Sequence, residues 1–292
     1  MSALAIVRAE LFRLTRTRAG RIGLVVPALL GAGQVMVAEL VATLRAAREL
    51  AERGGDGGAA AIGGGAEVAA EPAFGPLADG LGGLGAMALV MIALLTGAFT
   101  LARERDQGSL PQWYLARSRA AVVVGKAAAT CVYVVLAFLA LFLATFAAAA
   151  LGHDYSAIVE DGFEMASAAE QWHEVALAAG AGLPALLCCA CFGVLVSAAT
   201  PSVGAAAIGA IVPFTLLALF QSGLGAAADR LFITYAPFFS ERSPLARLSK
   251  VARAFSDTHW EAGELLNAAL VPGVEAIACI ALAWLITRSR EG

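Results

Sequence analysis

Residues 127–151 read AAATCVYVVLAFLALFLATFAAAAL, without one charged side chain, inside a longer, mostly apolar run, 120–151. A helix that crosses the hydrocarbon core of a bilayer, roughly 30 Å thick, needs about 20 mostly apolar residues. Lipid offers no water to a free amide, so each backbone group must bond within its own segment and the run is a helix. Five further stretches have the same character: 22–44, 81–102, 175–199, 203–224 and 265–286. Hydrophobic residues make up 60% of the 292-residue chain and mean hydropathy is +0.77, outside the range of soluble domains. The fold class is therefore an all-α polytopic membrane protein with six transmembrane helices. The spans and their connections fill 1–292 as a single transmembrane domain, with no room for a soluble catalytic one.

Charge sorts the connections into two sets. Residues 1–21 carry Arg8, Arg13, Arg16, Arg18 and Arg21 against Glu10. Residues 103–126 carry Arg103, Arg105, Arg117, Arg119 and Lys126 against Glu104 and Asp106, and Arg288 and Arg290 follow the last span. These make 12 of the 20 basic residues. Residues 152–174 hold six acids and no lysine or arginine; residues 45–80 hold three arginines against six acids. The positive-inside rule places both termini and the 103–119 loop in the cytoplasm. Segment 229–264, with five cations and five acids, falls outside by parity of the six spans.

The N-terminal apolar run is longer than the 7–15 residues of a signal-peptide core and reads as a retained anchor. Before it, Leu4, Val7, Leu11 and Leu14 recur at helical spacing while Arg8, Arg13 and Arg16 fall on other sides. Residues 1–21 thus read as a basic amphipathic helix lying in the membrane interface. Residues 53–65, RGGDGGAAAIGGG, read as a flexible linker. Between 229 and 264, an apolar stretch with Pro237 is too short to span. Pro244 then opens a second stretch, with Leu245, Leu248, Val251, Ala252 and Phe255 on one face and Arg247, Lys250 and Arg253 on another. These read as re-entrant or interfacial helices on the outer side; a solvated basic loop is the alternative.

Signals for catalysis are missing. The chain holds no phosphate-binding G-x-x-x-x-G-K-[ST], since Gly125-Lys126 lacks the earlier glycine, and no H-E-x-x-H. Cys131, Cys188, Cys189, Cys191 and Cys279 all lie in spans, without zinc-ligand spacing, and pack as small polarizable residues. No catalytic residue, metal or cofactor is expected, and no nucleic-acid partner. Gln34, Glu39 and Glu275 are the polar candidates within spans, for a substrate path or for contacts between helices. Both acids sit close enough to an outer end to reach headgroup-level water instead.

The loop Arg103-Glu104-Arg105-Asp106-Gln107-Gly108-Ser109-Leu110-Pro111-Gln112-Trp113-Tyr114 carries the most information. Ser109 with Gln112 three residues on predicts a capping box for a short helix, with Pro111 in its first turn. Trp113 and Tyr114 give that helix an aromatic face suited to docking a soluble partner. The alternative is an interfacial helix with both rings at headgroup level.

Here the chain resembles the ABC-2 type transporter permeases. Their pattern runs from an acidic-basic cluster through Gly-Thr/Ser-Leu, an apolar turn and Pro-x-Ser-Arg to an apolar run ending Gly-Lys. This sequence supplies Glu104, Gly108-Ser109-Leu110, Ser118-Arg119 and Gly125-Lys126 in that order. The turn is one residue shorter, and Ala116 stands where the proline would, while Pro111 comes earlier. The resemblance implies the membrane subunit of an ABC exporter in a bacterial cytoplasmic (inner) membrane. Its partners would be a cytoplasmic ATP-binding subunit that holds ATP and Mg, and a second permease, identical or related, beside it in the bilayer. Glu10, Arg103, Glu104, Arg105, Gly108, Ser109, Gln112, Trp113, Tyr114 and Arg119 would form the ATPase-coupling interface. With so few charges in the spans, the cargo is expected to be amphipathic or apolar. A scaffold that couples an ATPase to an extracytoplasmic partner protein is the rival reading; an integral membrane enzyme ranks last for want of a nucleophile, base or metal cluster.

Overall fold

The computed structural model describes residues 3–54, 72–116, 118–160, 163–252, 260 and 262–290. Helix α1 (Ala3–Arg16) turns at Thr17 into α2 (Arg18–Gly54); α3 (Phe74–Gly82) continues after a break as α4 (Leu84–Asp106). The short α5 (Leu110–Ala116) leads to α6 (Arg119–Gly152), a hairpin of β1 (Ile158–Glu160) and β2 (Phe163–Ala166), and α7 (Ala168–Ala199). Then come α8 (Val203–Phe220), two 3-10 turns (Gln221–Arg230 and Phe232–Tyr235), α9 (Pro244–Val251) and α10 (Ala262–Arg290). Among the described residues six helices are long and apolar enough to cross a membrane: α2, α3–α4, α6, α7, α8 with its following turn, and α10. The protein is an all-α, multi-pass membrane protein.

Helices α4 and α7 form the centre. In the apolar stretches of α3–α4 and α7, 56% of residues are buried, against 17% in α2 and α8 and 11% in α10. The outer helices present Leu29, Val37, Leu40, Val274 and Ile277 outward, as side chains facing lipid must be. The central pair meets backbone to backbone. A Cβ on Gly97 would strike the Ala190 carbonyl oxygen, and one on Gly193 the Leu94 carbonyl oxygen. Small residues permit such contact where helices associate by van der Waals packing alone. Gly180 and Gly204, by contrast, face open space.

Serines set several helix starts. Ser118 accepts from the Ala121 amide and Ser202 from the Ala205 amide; Ser167 and Glu170 form a full capping box for α7. The break at Gly83 leaves backbone groups open, and Gln34 of α2 fills them. Its side-chain oxygen accepts from the Leu84 amide at 2.8 Å, and its amide donates to the Asp79 carbonyl at 3.1 Å.

The structure adds to the sequence expectations at four points. Helix α2 runs to Gly54, beyond 44, because Arg45-Ala-Ala-Arg48 keeps strong helix formers past the apolar stretch. Residues 158–160 and 163–166 pair as antiparallel strands where only an acidic connection was foreseen. Segment 229–264 begins as 3-10 turns with Phe232–Ala236 buried, and α9 buries Leu245 and Leu248 against the bundle. Phe255 and Arg253, like linker residues 55–65, lie outside the described residues. Finally, the inward face of α1 is Ile6 and Glu10, while Leu4 is 76% exposed. Partners inside the bundle hold Glu10 there, which leaves Val7, Leu11 and Leu14 half-buried and Leu4 exposed.

Candidate functional site

At the end of the bundle where the basic connections gather, four charged side chains meet in the interior. Lys126 of α6 is fully buried, Glu104 of α4 is 1% exposed and Glu10 of α1 is 4% exposed. Lys126 Nζ lies 2.5 Å from Glu104 Oε1 and also pairs with Glu10 Oε1. Arg13 closes the group, 2.9 Å from Glu10 Oε2 and 3.3 Å from Glu104 Oε1. Two acids face two bases, so the quartet is formally neutral, which low-dielectric surroundings require. The Trp113 ring of α5 covers it, its centroid 5.5 Å from Lys126 Nζ. Four helices thus share one charge cluster.

Neighbouring residues bind the same end. Arg105 donates to the Ser197 carbonyl at 3.2 Å and to the Thr200 carbonyl, which satisfies the C-terminus of α7. Asp106 accepts from the Val203 amide at 3.0 Å, at the start of α8. The Ser197 hydroxyl accepts from the Leu101 and Ala102 amides at 2.9 and 2.8 Å. Arg119 donates to the Arg288 carbonyl in the last turn of α10. Tyr133 donates to the Gly20 carbonyl at 2.6 Å and so pins the bend between α1 and α2.

The elbow from α4 to α5 turns at Gly108, whose φ of +65° suits glycine. Ser109 does not form the predicted capping box. Its hydroxyl donates to the Glu104 carbonyl at 3.4 Å, and the Gln112 amide goes to the Ser109 backbone carbonyl at 3.2 Å. The positive-φ glycine carries the chain back under α4, so the hydroxyl meets the end of that helix. Trp113 and Tyr114 also turn inward, packing on the cluster built from Ile6, Leu101, Leu110 and Val122. Arg103, Gly108 and Gln112 face outward. Of the ten residues expected at a coupling interface, then, Glu10 and Glu104 are internal, Arg105 and Arg119 engage helix ends, and three are exposed.

Gln34, Glu39 and Glu275 lie apart from this cluster, and each joins two elements. Gln34 bridges the α3–α4 break. Glu39 lies 2.5 Å from His153 Nε2 at the end of α6. Glu275 of α10 accepts from the Phe232 amide at 2.6 Å, at the start of the second 3-10 turn. Among the described residues no group of three or more His, Cys, Asp or Glu side chains is placed to hold a metal. The cysteines are free thiols, with Cys131 and Cys191 sulfurs 3.7 Å apart.

The sequence reading passes over Arg13 and Lys126 as site residues. The signal was present: Lys126 stands between apolar runs, and a lysine about two turns inside a span needs a counter-ion. Glu10 and Glu104, with Asp106, are the acids near the same end.

No curated protein and no solved structure matches the chain. The family model described as ABC-2 family transporter protein matches residues 5–248, a range that includes most of α1, the quartet, the elbow and the start of α9. The chain belongs to the ABC-2 family of transporter proteins.

Proposed function

We propose that this chain is the permease subunit of an ATP-driven exporter for amphipathic or apolar molecules. It sits in a bacterial cytoplasmic membrane with its basic end and both termini in the cytoplasm. A separate subunit binds and hydrolyses ATP with Mg, and a second permease, identical or related, completes the membrane unit. The observation that carries the reading is the double use of Lys126. Glu10 on α1 and Glu104 at the elbow hold the same ammonium group. A force on the exposed residues Arg103, Gly108 and Gln112, or on α1, therefore reaches α4 and α6 together. Family membership supports the ATP-binding partner.

The test pairs this chain with its ATP-binding subunit. Gln112→Ala and Arg103→Glu, both at exposed positions, should weaken copurification and uncouple hydrolysis from transport while membrane levels hold. Normal copurification and transport by both variants would remove the coupling role. Orientation is tested separately: Phe163→Cys, in the exposed hairpin, should react with an impermeant thiol reagent outside intact cells, and Gln107→Cys should not.

One observation favours the scaffold reading in second place. The paired strands expose Phe163 at 74%, Met165 at 56% and Val159 at 52%, apolar side chains open to a partner protein. ATPase stimulation by a protein and by no solute would decide for it.

A further inference from the structure

Beside the charge quartet lies a cavity of about 320 Å³, enclosed by α1, the start of α2, α4 and α6. That volume falls within the range of ligand sites, about 300–1,000 Å³. Its lining is graded. Arg13, Arg103 and Lys126 stand at the basic end, and Phe99, Ile92 and Val26 line the deeper wall. From Arg103 to Ile92 the cavity follows α4 for eleven residues. At 1.5 Å per residue that is about 16 Å, close to the half-thickness of a bilayer's hydrocarbon core. The depth therefore matches one acyl chain of a single leaflet.

The charges choose the headgroup. Glu10 and Glu104 are balanced by Arg13 and Lys126, and Arg103 adds one positive charge at the exposed mouth. Among the described residues Arg103 has no carboxylate partner. Thr17, Thr96 and Thr100 also line the cavity and supply hydroxyls along it.

We propose that this cavity binds a monoanionic amphipath taken from the leaflet at the basic end. Its phosphodiester sits at Arg103 and Arg13, and one chain runs along Phe99 and Ile92 toward Val26. This deepens the export reading by naming a headgroup chemistry, yet its test needs no ATP-binding subunit, so the two can fail separately.

The experiment is native mass spectrometry of the full chain released from nanodiscs of equal phosphatidylglycerol and phosphatidylcholine with matched chains. The wild type should retain phosphatidylglycerol over phosphatidylcholine, and Arg103→Ala should reduce that retention about tenfold, the loss of one charge-assisted contact. Arg16→Ala, exposed but outside the cavity lining, should change nothing. A phosphatidylglycerol carrying a photoreactive group at its chain end should crosslink near Val26 and Ile92. Equal retention of both lipids, an unaffected Arg103→Ala variant, or an equal loss in Arg16→Ala would overturn the proposal. So would displacement by inorganic phosphate or crosslinks spread over the outer helices; the first would reveal an anion site without a chain, the second ordinary boundary lipid.

Discussion

The two ends of this bundle are held by opposite means. At the basic end, charged groups go inward: Lys126, Glu104 and Glu10 are almost wholly buried, and their partners are one another. At the other end, aromatic rings go inward and charges stay out. Phe74 packs edge-on against Tyr155 and Trp172 at 5.1 and 5.2 Å, and Phe146 stacks on Tyr155 at 4.9 Å. The ion pairs there, Arg247–Glu264, Lys250–Glu241 and Arg242–Asp229, lie at the surface. Aromatic packing is forgiving, since rings retain most of their contact after small shifts. A buried charge is not, because one lost partner leaves the other unpaired. Dependence on paired charge is therefore concentrated at the basic end.

The largest expected effect follows directly. Lys126→Ala removes the ammonium between two buried carboxylates and should destabilise the protein by about 3–5 kcal/mol. Thermal unfolding of the purified chain in one detergent would measure it. Lys126→Met combined with Glu104→Leu should recover much of that loss, since Glu10 and Arg13 remain a neutral pair. If the double variant is as unstable as the sum of its singles, the quartet is not an electrostatic unit and the contrast between the ends fails.

Glu275 comes next, a carboxylate near the aromatic end that accepts from the Phe232 backbone amide. Glu275→Leu leaves the Phe232 N–H without its acceptor and should cost about 1–3 kcal/mol. Glu275→Gln keeps an acceptor oxygen and should cost less. Equal losses in both variants would mean that the negative charge, and not the hydrogen bond to the 3-10 turn, is what matters.

Tyr155 offers a pH test. Its hydroxyl donates to the Phe146 carbonyl at 3.0 Å, and burial pushes it up to about 12 from the ordinary 10.0. The fold favours the neutral phenol, so this contribution is complete below pH 10 and is lost as pH rises through 12. Tyr155→Phe should cost about 0.5–1.5 kcal/mol at neutral pH and flatten the alkaline fall in stability. An unchanged alkaline profile in Tyr155→Phe would show that the aromatic cluster does not sense this proton.

The spans and the elbow could be read in the sequence, but the contrast between the two ends could not, for physical reasons that mark where reading stops. Apolar length specifies a spanning helix because lipid leaves the backbone no alternative. Gly108-Ser109-Leu110 after Asp106 announces a sharp elbow below a span. The inward turn of Glu10 could not be read from helix periodicity, which places it on the flank of the leucine stripe and names no partner for it. It depends on Lys126, 116 residues away, and only the packed fold brings them together. The Gln34 clasp on the Gly83 break is likewise non-local. The pairing of 158–160 with 163–166 escaped because both strands are short, and Glu160 and Glu164 conceal the alternation.

The smallest effects belong to the surface pairs of the aromatic end. Arg247 lies 2.6 Å from Glu264, and its guanidinium sits 4.8 Å from the Trp260 ring centroid. Glu264 is half-exposed, so solvent screens the ion pair; exposed pairs contribute about 0–1 kcal/mol and an exposed cation–π contact about 0.5–1 kcal/mol. Arg247→Ala should therefore lower stability by about 1 kcal/mol at most, and Arg247→Lys should restore part of it by keeping the charge over the ring. Lys250, 3.4 Å from a highly exposed Glu241, should show no measurable change on substitution by Ala. Raising salt should reduce the cost of Arg247→Ala only slightly, because the ring contact remains when the ion pair is screened. A loss in Arg247→Ala as large as that in Lys126→Ala would mean that the aromatic end, too, depends on charge, and the two ends would no longer differ in kind.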